Sequence, residues 1–168
     1  MITDVLVRPA ELHDAEPLQR NCKTGATLEQ LQNQVAWTTR ERAPQVLEHL
    51  VAEVDGEVVG TVMMKPKGAH AVELGGGRIT MCRGRNGPVA QVVRLDDWVV
   101  NRRYQGTGVA VRLAEEVIGL AASWGAVQVE SSSTNPRAIG CLKKVGFSEW
   151  GRFPHADGSI EVFVLRAV

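Results

Sequence analysis

The strongest constraint in this sequence is a change of period around residue 100. The run LDDWVV, Leu95 to Val100, has the β-branched, apolar character of a strand. The chain then passes through RYQGTG, Arg103 to Gly108, into a stretch with a different rhythm. Val109, Leu113, Val117, Leu120, Ala121 and Trp124 recur at helical spacing, and Gly125 stands where such a helix would stop. Strand, glycine turn and helix in that order create an anion site. The first amides of a helix have no partners within it, and the helix dipole adds about half a positive charge there. Gly106 and Gly108 lack the Cβ atoms that would hold a phosphate away, and Arg102 and Arg103 stand beside them. A tight strand-to-helix turn with no ligand accounts for the same glycines, so the loop alone leaves both readings open.

Two common nucleotide motifs fail on spacing. A dinucleotide fold requires GxGxxG after an early strand, and here the third position is Val111, late in the chain. A P-loop requires a Lys after its second glycine, and none follows. The formal net charge of zero writes no pull toward nucleic acid or an anionic membrane into the totals. No apolar run approaches the roughly 20 residues needed to span a bilayer. The opening MITDVLVRPAELHDAEPLQR carries Asp4 and no long apolar centre, so it does not read as a secretory leader. Cys22, Cys82 and Cys141 are odd in number and far apart, which suggests reduced thiols and a cytoplasmic setting. The four histidines form no metal-binding unit, so no metal is expected.

The length of 168 residues, with 44% apolar residues, fits one domain spanning 1–168. DVLVRPA predicts a first strand, and residues 14–39 one interrupted helix or two short ones. EHLVAEVDGEVVGTVMMKP predicts a hairpin turning at Asp55-Gly56. Residues 66–88, with Gly75 to Gly77 and Asn86-Gly87, predict an extra hairpin or flap over pieces near Ala71–Leu74 and Ile79–Cys82. PVAQVVRLDDWVV predicts a long strand ending at Val100, and VQVESSS another. NPRAIGCLKKVGF predicts a short helix with Asn135 at its N-cap, Pro136 at its first position and Gly146 just beyond its end. Two strands, FSEWGRF and SIEVFVLR, close the chain.

RYQGTG matches the pattern [QR]xxGx[GA], and the whole arrangement resembles the GNAT superfamily of N-acetyltransferases. The run NPRAIGCLKKVGF is similar to that family's second signature, N..A..LY.K.GF, with Asn135, Ala138, Lys144, Gly146 and Phe147 in register. The resemblance implies an α/β domain of α+β type, a central mixed sheet of about seven strands flanked by four helices, with the extra hairpin or flap inserted at 66–88. It implies acetyl-CoA as cofactor. Arg103, Tyr104, Gln105, Gly106, Thr107, Gly108, Val109 and Ala110 would hold its pyrophosphate, the amides of Gln105 to Ala110 foremost. Trp98, Val99 and Val100 would run beside the pantetheine arm on a bulged strand whose freed amide polarises the thioester carbonyl. Asn135 would contact the thiol end, although a plain N-cap role satisfies the sequence equally. The acceptor would be a primary amine of a small molecule or peptide, attacking directly in a ternary complex. Dimers are common in the family, and an extra hairpin would suit a homodimer contact.

Amine attack requires a base, because a protonated amine has no lone pair. Asp96 and Asp97 on the cofactor strand are the candidates, with Glu130, Glu73 and His70 in reserve. Strand alternation puts Asp96 and Asp97 on opposite faces, so only one should reach the cleft, and Asp96 is preferred. Many family members carry a tyrosine as general acid where this chain has Leu142, so that role does not transfer. Cys141 beside it is expected to pack into the core. Two other functions stand beside transfer: a non-catalytic acyl-CoA sensor on the same fold, and an unrelated α/β phosphate-binding protein.

Overall fold

The computed structural model describes residues 2–38, 48–67, 70–72, 79–81 and 92–168. Strand β1 (Leu6–Pro9) leads through a short 3₁₀ turn into α1 (Ala15–Cys22) and α2 (Leu28–Thr38). The interruption predicted near Gly25 is therefore a true break. Lys23 takes a left-handed conformation at the end of α1. A reciprocal cap then starts α2: the Thr27 amide donates to Gln30 Oε1 (2.8 Å) and the Gln30 amide to Thr27 Oγ1 (3.2 Å). The predicted hairpin is β2 (Glu48–Val54) and β3 (Glu57–Pro66), turning through Asp55 and Gly56, both at positive φ.

Strands β4 (His70–Val72) and β5 (Ile79–Met81) pair antiparallel as a small separate sheet, which agrees with the extra hairpin expected in 66–88. Its triple glycine, Asn86-Gly87, Glu73 and Cys82 lie outside the described residues. The chain continues with β6 (Val92–Val100), α3 (Val109–Ser123), β7 (Gln128–Ser133), α4 (Pro136–Lys144), β8 (Ser148–Pro154) and β9 (Ile160–Ala167).

The main sheet has seven strands in the order β1-β2-β3-β6-β7-β9-β8, flanked by the four helices. Its core has two sides. Leu50, Ala52, Val62, Met64, Val93, Leu95, Val129 and Val164 are buried together with Val109, Leu113, Val117 and Ala121 of α3 and Leu142 of α4. On the opposite face, Val51 and Val58 are buried with Leu18 of α1 and Leu31 and Val35 of α2. Helices α1 and α2 thus cover one end of that second face.

One irregularity in the sheet positions everything that follows. Strand β6 pairs in parallel with β7 over only Val92↔Gln128, Val93↔Val129 and Arg94↔Glu130. Beyond that rung β6 continues along β3 to Val100, while β7 continues along β9 to Ser133. The Ser131 hydroxyl still donates to the Leu95 carbonyl at 2.9 Å. After it the two central strands part, leaving a wedge whose walls are paired on their outer sides only.

Candidate functional site

The wedge leads from β6 into the glycine loop. Asn101 closes the first step, its Oδ1 accepting from the Arg103 amide at 2.9 Å. Gly106 and Gly108 then take φ values of +80° and +100°, in the region that side chains rarely adopt. Gly108 is the N-cap of α3 and no side chain caps the helix. The first amides of α3 therefore lack intrahelical partners. Of the amides expected to hold a diphosphate, those of Gln105 and Thr107 are turned inward, to the carbonyls of Arg102 and Tyr104 at 3.4 Å each. Those of Gly106, Gly108, Val109 and Ala110 are the ones the loop leaves for a ligand. A Cβ built on Gly106 meets nothing within 4 Å, so open space lies over the loop. Arg103 is exposed beside it, and Tyr104 is packed against the core with its hydroxyl 3.4 Å from Glu57.

Strand β6 carries a bulge. Met63 is opposite Asp96 and Thr61 opposite Val99, so Val62 faces both Asp97 and Trp98. Asp97 takes the left-handed conformation, φ +47°, that absorbs the extra residue. Trp98, Val99 and Val100 follow along the wedge. The Trp98 indole N–H is buried and has no acceptor among the described residues. Uncapped amides at the end of the wedge fit a ligand that carries phosphates at its tip.

The bulge corrects the alternation argument for the two aspartates. Asp96 and Asp97 turn to the same side and share Lys65, whose ammonium lies 3.5 Å from Asp96 and 2.6 Å from Asp97. Arg94 also lies 3.6 Å from Asp96. Burial works against the charge on Lys65, but the two carboxylates outweigh it and raise its pKa above the ordinary lysine value. Asp96, half-buried, and Asp97, exposed, are thus carboxylates already matched with cations.

Glu130 is different. It stands on the last paired rung before the wedge, is 1% exposed, and has one oxygen on the Lys67 ammonium. Its other oxygen, Oε1, is buried with no partner among the described residues. The Lys67 ammonium lies 5.7 Å from the centroid of the Trp150 ring, and that ring packs at 5.5 Å against Phe163. The sequence held Glu130 in reserve and gave no hint of Lys67 or Trp150, because strand order alone brings the three together. Among the described residues no group of His, Cys, Asp or Glu could hold a metal ion.

The Acetyltransferase (GNAT) family matches residues 12–147. The chain belongs to that family. Its fold is that of solved GNAT structures. A GCN5-related N-acetyltransferase from Kribbella flavida aligns over 98% of this chain and 98% of its own, with a TM-score of 0.70 and 23% identity. A ribosomal-protein-alanine N-acetyltransferase from Brucella melitensis aligns over 97% of this chain and 99% of its own, with a TM-score of 0.70 and 22% identity. The yncA protein of Salmonella typhimurium, solved with its cofactor acetyl-CoA, aligns over 98% of this chain and 94% of its own, with a TM-score of 0.69 and 17% identity. No curated protein matches the chain in sequence. Members of the GNAT family bind acetyl-CoA, the cofactor that the two sequence motifs imply.

Helix α4 shows where this GNAT domain keeps the family pattern and where it departs. Asn135 is its N-cap, with Oδ1 accepting from the Arg137 amide at 3.0 Å, and Pro136 sits in the first turn. Leu142, in the tyrosine position, is 0% exposed within the core. Cys141 is half-buried, so the expectation that it packs into the core is reversed: Leu142 takes the inward position. Among the described residues no helix is long and apolar enough to cross a membrane.

Proposed function

We propose that this chain transfers an acetyl group from acetyl-CoA to a primary amine, by direct attack with both substrates bound. The observation that carries the reading is the wedge between β6 and β7, opening from Glu130 and ending at the uncapped N-terminus of α3. The amides of Gly106, Gly108, Val109 and Ala110 hold the pyrophosphate, with Arg103 beside them. Trp98, Val99 and Val100 line the arm. Asn135 caps α4 at the rim and contacts the cofactor's thiol end. Acetyl-CoA supplies the acetyl group as an activated thioester.

Glu130 takes the amine's proton. It is a buried carboxylate at the base of the wedge, and its Oε1 has no partner among the described residues. Asp96 and Asp97, the bases expected from the sequence, act instead through Lys65 and Arg94 to fix the bulge. Leu142 brings no proton donor to the tyrosine position, which is also the feature that favours a sensor that binds the cofactor without turnover.

The test is thermal unfolding with excess acetyl-CoA, with ATP and NAD as controls, followed by detection of free thiol over a panel of amines. Ligand at a hundred times its Kd adds about 2.7 kcal/mol and raises Tm by about 5 to 10 °C in a domain of this size. A shift specific to acetyl-CoA with amine-dependent thiol release is the expected result. Binding with no thiol release from any amine would establish the sensor instead. No shift with any acyl-CoA would refute both.

A further inference from the structure

We infer that Glu130, Trp150 and Phe163 form the seat of the acceptor's ammonium group, and that Lys67 fills this seat in the absence of acceptor. The inference rests on the transfer reading above and names its substrate class: an aliphatic primary amine with no carboxylate beside the nitrogen. The starting point is Glu130. A buried carboxylate is tolerated only where cations and hydrogen-bond donors surround it, and among the described residues Glu130 has one such partner for two oxygens. An alkylammonium brings three N–H donors, enough for both.

The partner it does have shows what the seat accepts. The Lys67 ammonium contacts the Glu130 carboxylate and lies 5.7 Å from the Trp150 ring centroid. A carboxylate beside an aromatic face is the pairing that recognises an organic cation. Phe163 tilts against Trp150 at 56° and holds it in place. Ser132, which pairs across to Phe163, lies two residues beyond Glu130 on the same side of β7, so these groups share one face of the sheet.

Lys67 is suited to leave. Its backbone is tied by one amide bond to the Val92 carbonyl, 3.0 Å, while its side chain is one-third exposed and ends in a compact ammonium. The surrounding charge selects against acids. Asp96, Asp97 and Glu161 lie on the same face, and the cations Lys65 and Arg94 are already paired to the aspartates. A carboxylate on the acceptor would meet these three anions, against the single displaced ammonium of Lys67.

Calorimetric titration of n-butylamine, with norleucine as the carboxylate-bearing control, tests the seat in the protein with and without coenzyme A. Removing Lys67 frees the seat, so Lys67→Met binds n-butylamine about tenfold more tightly if lysine holds the seat about nine-tenths of the time. Lys67→Gln does the same should the Met variant fold poorly. Trp150→Leu weakens n-butylamine by about two- to fivefold. Norleucine binds more weakly than n-butylamine throughout. Equal n-butylamine affinity in wild type and both Lys67 variants, or norleucine binding as tightly, would overturn the inference. Thiol release measured in parallel separates the two readings. Release with unmoved affinities refutes the seat alone, whereas tightened binding without release refutes transfer and leaves the seat.

Discussion

His49 offers the sharpest test of the buried polar structure beneath the acceptor face. It lies on β2 with 0% exposure, and its Nε2 is 2.8 Å from Thr61 Oγ1. The Thr61 hydroxyl spends its single proton on the Leu50 carbonyl, 3.0 Å away, so it must accept from His49 Nε2–H. The neutral ring therefore carries its lone pair on Nδ1, which has no partner among the described residues. Protonation would put a charge and an unmatched N–H into a dry site. Burial accordingly pulls the His49 pKa from 6.5 down to about 4, against weaker upward pulls from Asp97 and Asp14. The unfolded chain then binds more protons than the folded one between those two values, so stability rises with pH across that window. It is fully present above the unfolded value and falls by about 1.4 kcal/mol for each pH unit below it. Between pH 6.5 and pH 5 the loss amounts to roughly 2 kcal/mol. Urea unfolding followed by tryptophan fluorescence at several pH values, for wild type and His49→Gln, isolates this contribution, because other titrations cancel in the difference. The expected result is a stability gap that shifts against the wild type as pH falls. Parallel profiles from pH 7 to pH 5 would refute the argument.

Three further outcomes follow from other contacts. Gly108→Asp combines a strained left-handed φ with a carboxylate at the helix N-cap; acetyl-CoA binding by calorimetry should be lost, and normal affinity in a folded variant would remove the loop from the site. Asp14 is 1% exposed: burial pushes its pKa up, but Arg8 and the Glu11 amide outweigh this and hold it below 3.8. Arg8→Met leaves that buried carboxylate with the Glu11 amide but without its cation and should cost about 3 kcal/mol in urea unfolding near neutral pH, with the gap narrowing as pH falls through the native Asp14 value. Asn135→Ala removes the cap bond to the Arg137 amide and should cost about 1 kcal/mol, read from the urea midpoint at unchanged slope.

What the sequence revealed was local, and what it concealed was mostly non-local. The Asp55-Gly56 turn, the N-cap and N-terminal proline of α4, and the period of α3 each depend on neighbours within a few residues, and each stands as read. The two glycines of the loop were legible as a pair, but not the inward turn of the Gln105 and Thr107 amides between and before them. Glu130, Lys67 and Trp150 come from β7, the residue after β3, and β8. Only the order β3-β6-β7-β9-β8 brings them across the sheet to one another, and no spacing in the chain encodes that order. Cys141 is expected in the core from sequence alone, but a single helical step of about 100° decides which residue faces inward, and Leu142 takes that place.

The bulge at Asp97 joins these two kinds of failure, and it ties the fold to the site. Alternation is a sound rule for a regular strand, and from Val92 to Asp96 it holds, with Arg94 and Asp96 on one side and Val93 and Leu95 on the other. One extra residue opposite Val62 then resets the phase. It turns Asp97 onto the side of Asp96, so that both reach Lys65, a few residues beyond the last rung that β6 shares with β7. The ion cluster of Asp96, Asp97, Lys65 and Arg94 sits at the bulge. In the transfer reading proposed above, the acidic pair that looks catalytic in the sequence serves the bulge through Lys65 and Arg94, and the buried Glu130 is the group proposed to meet the amine.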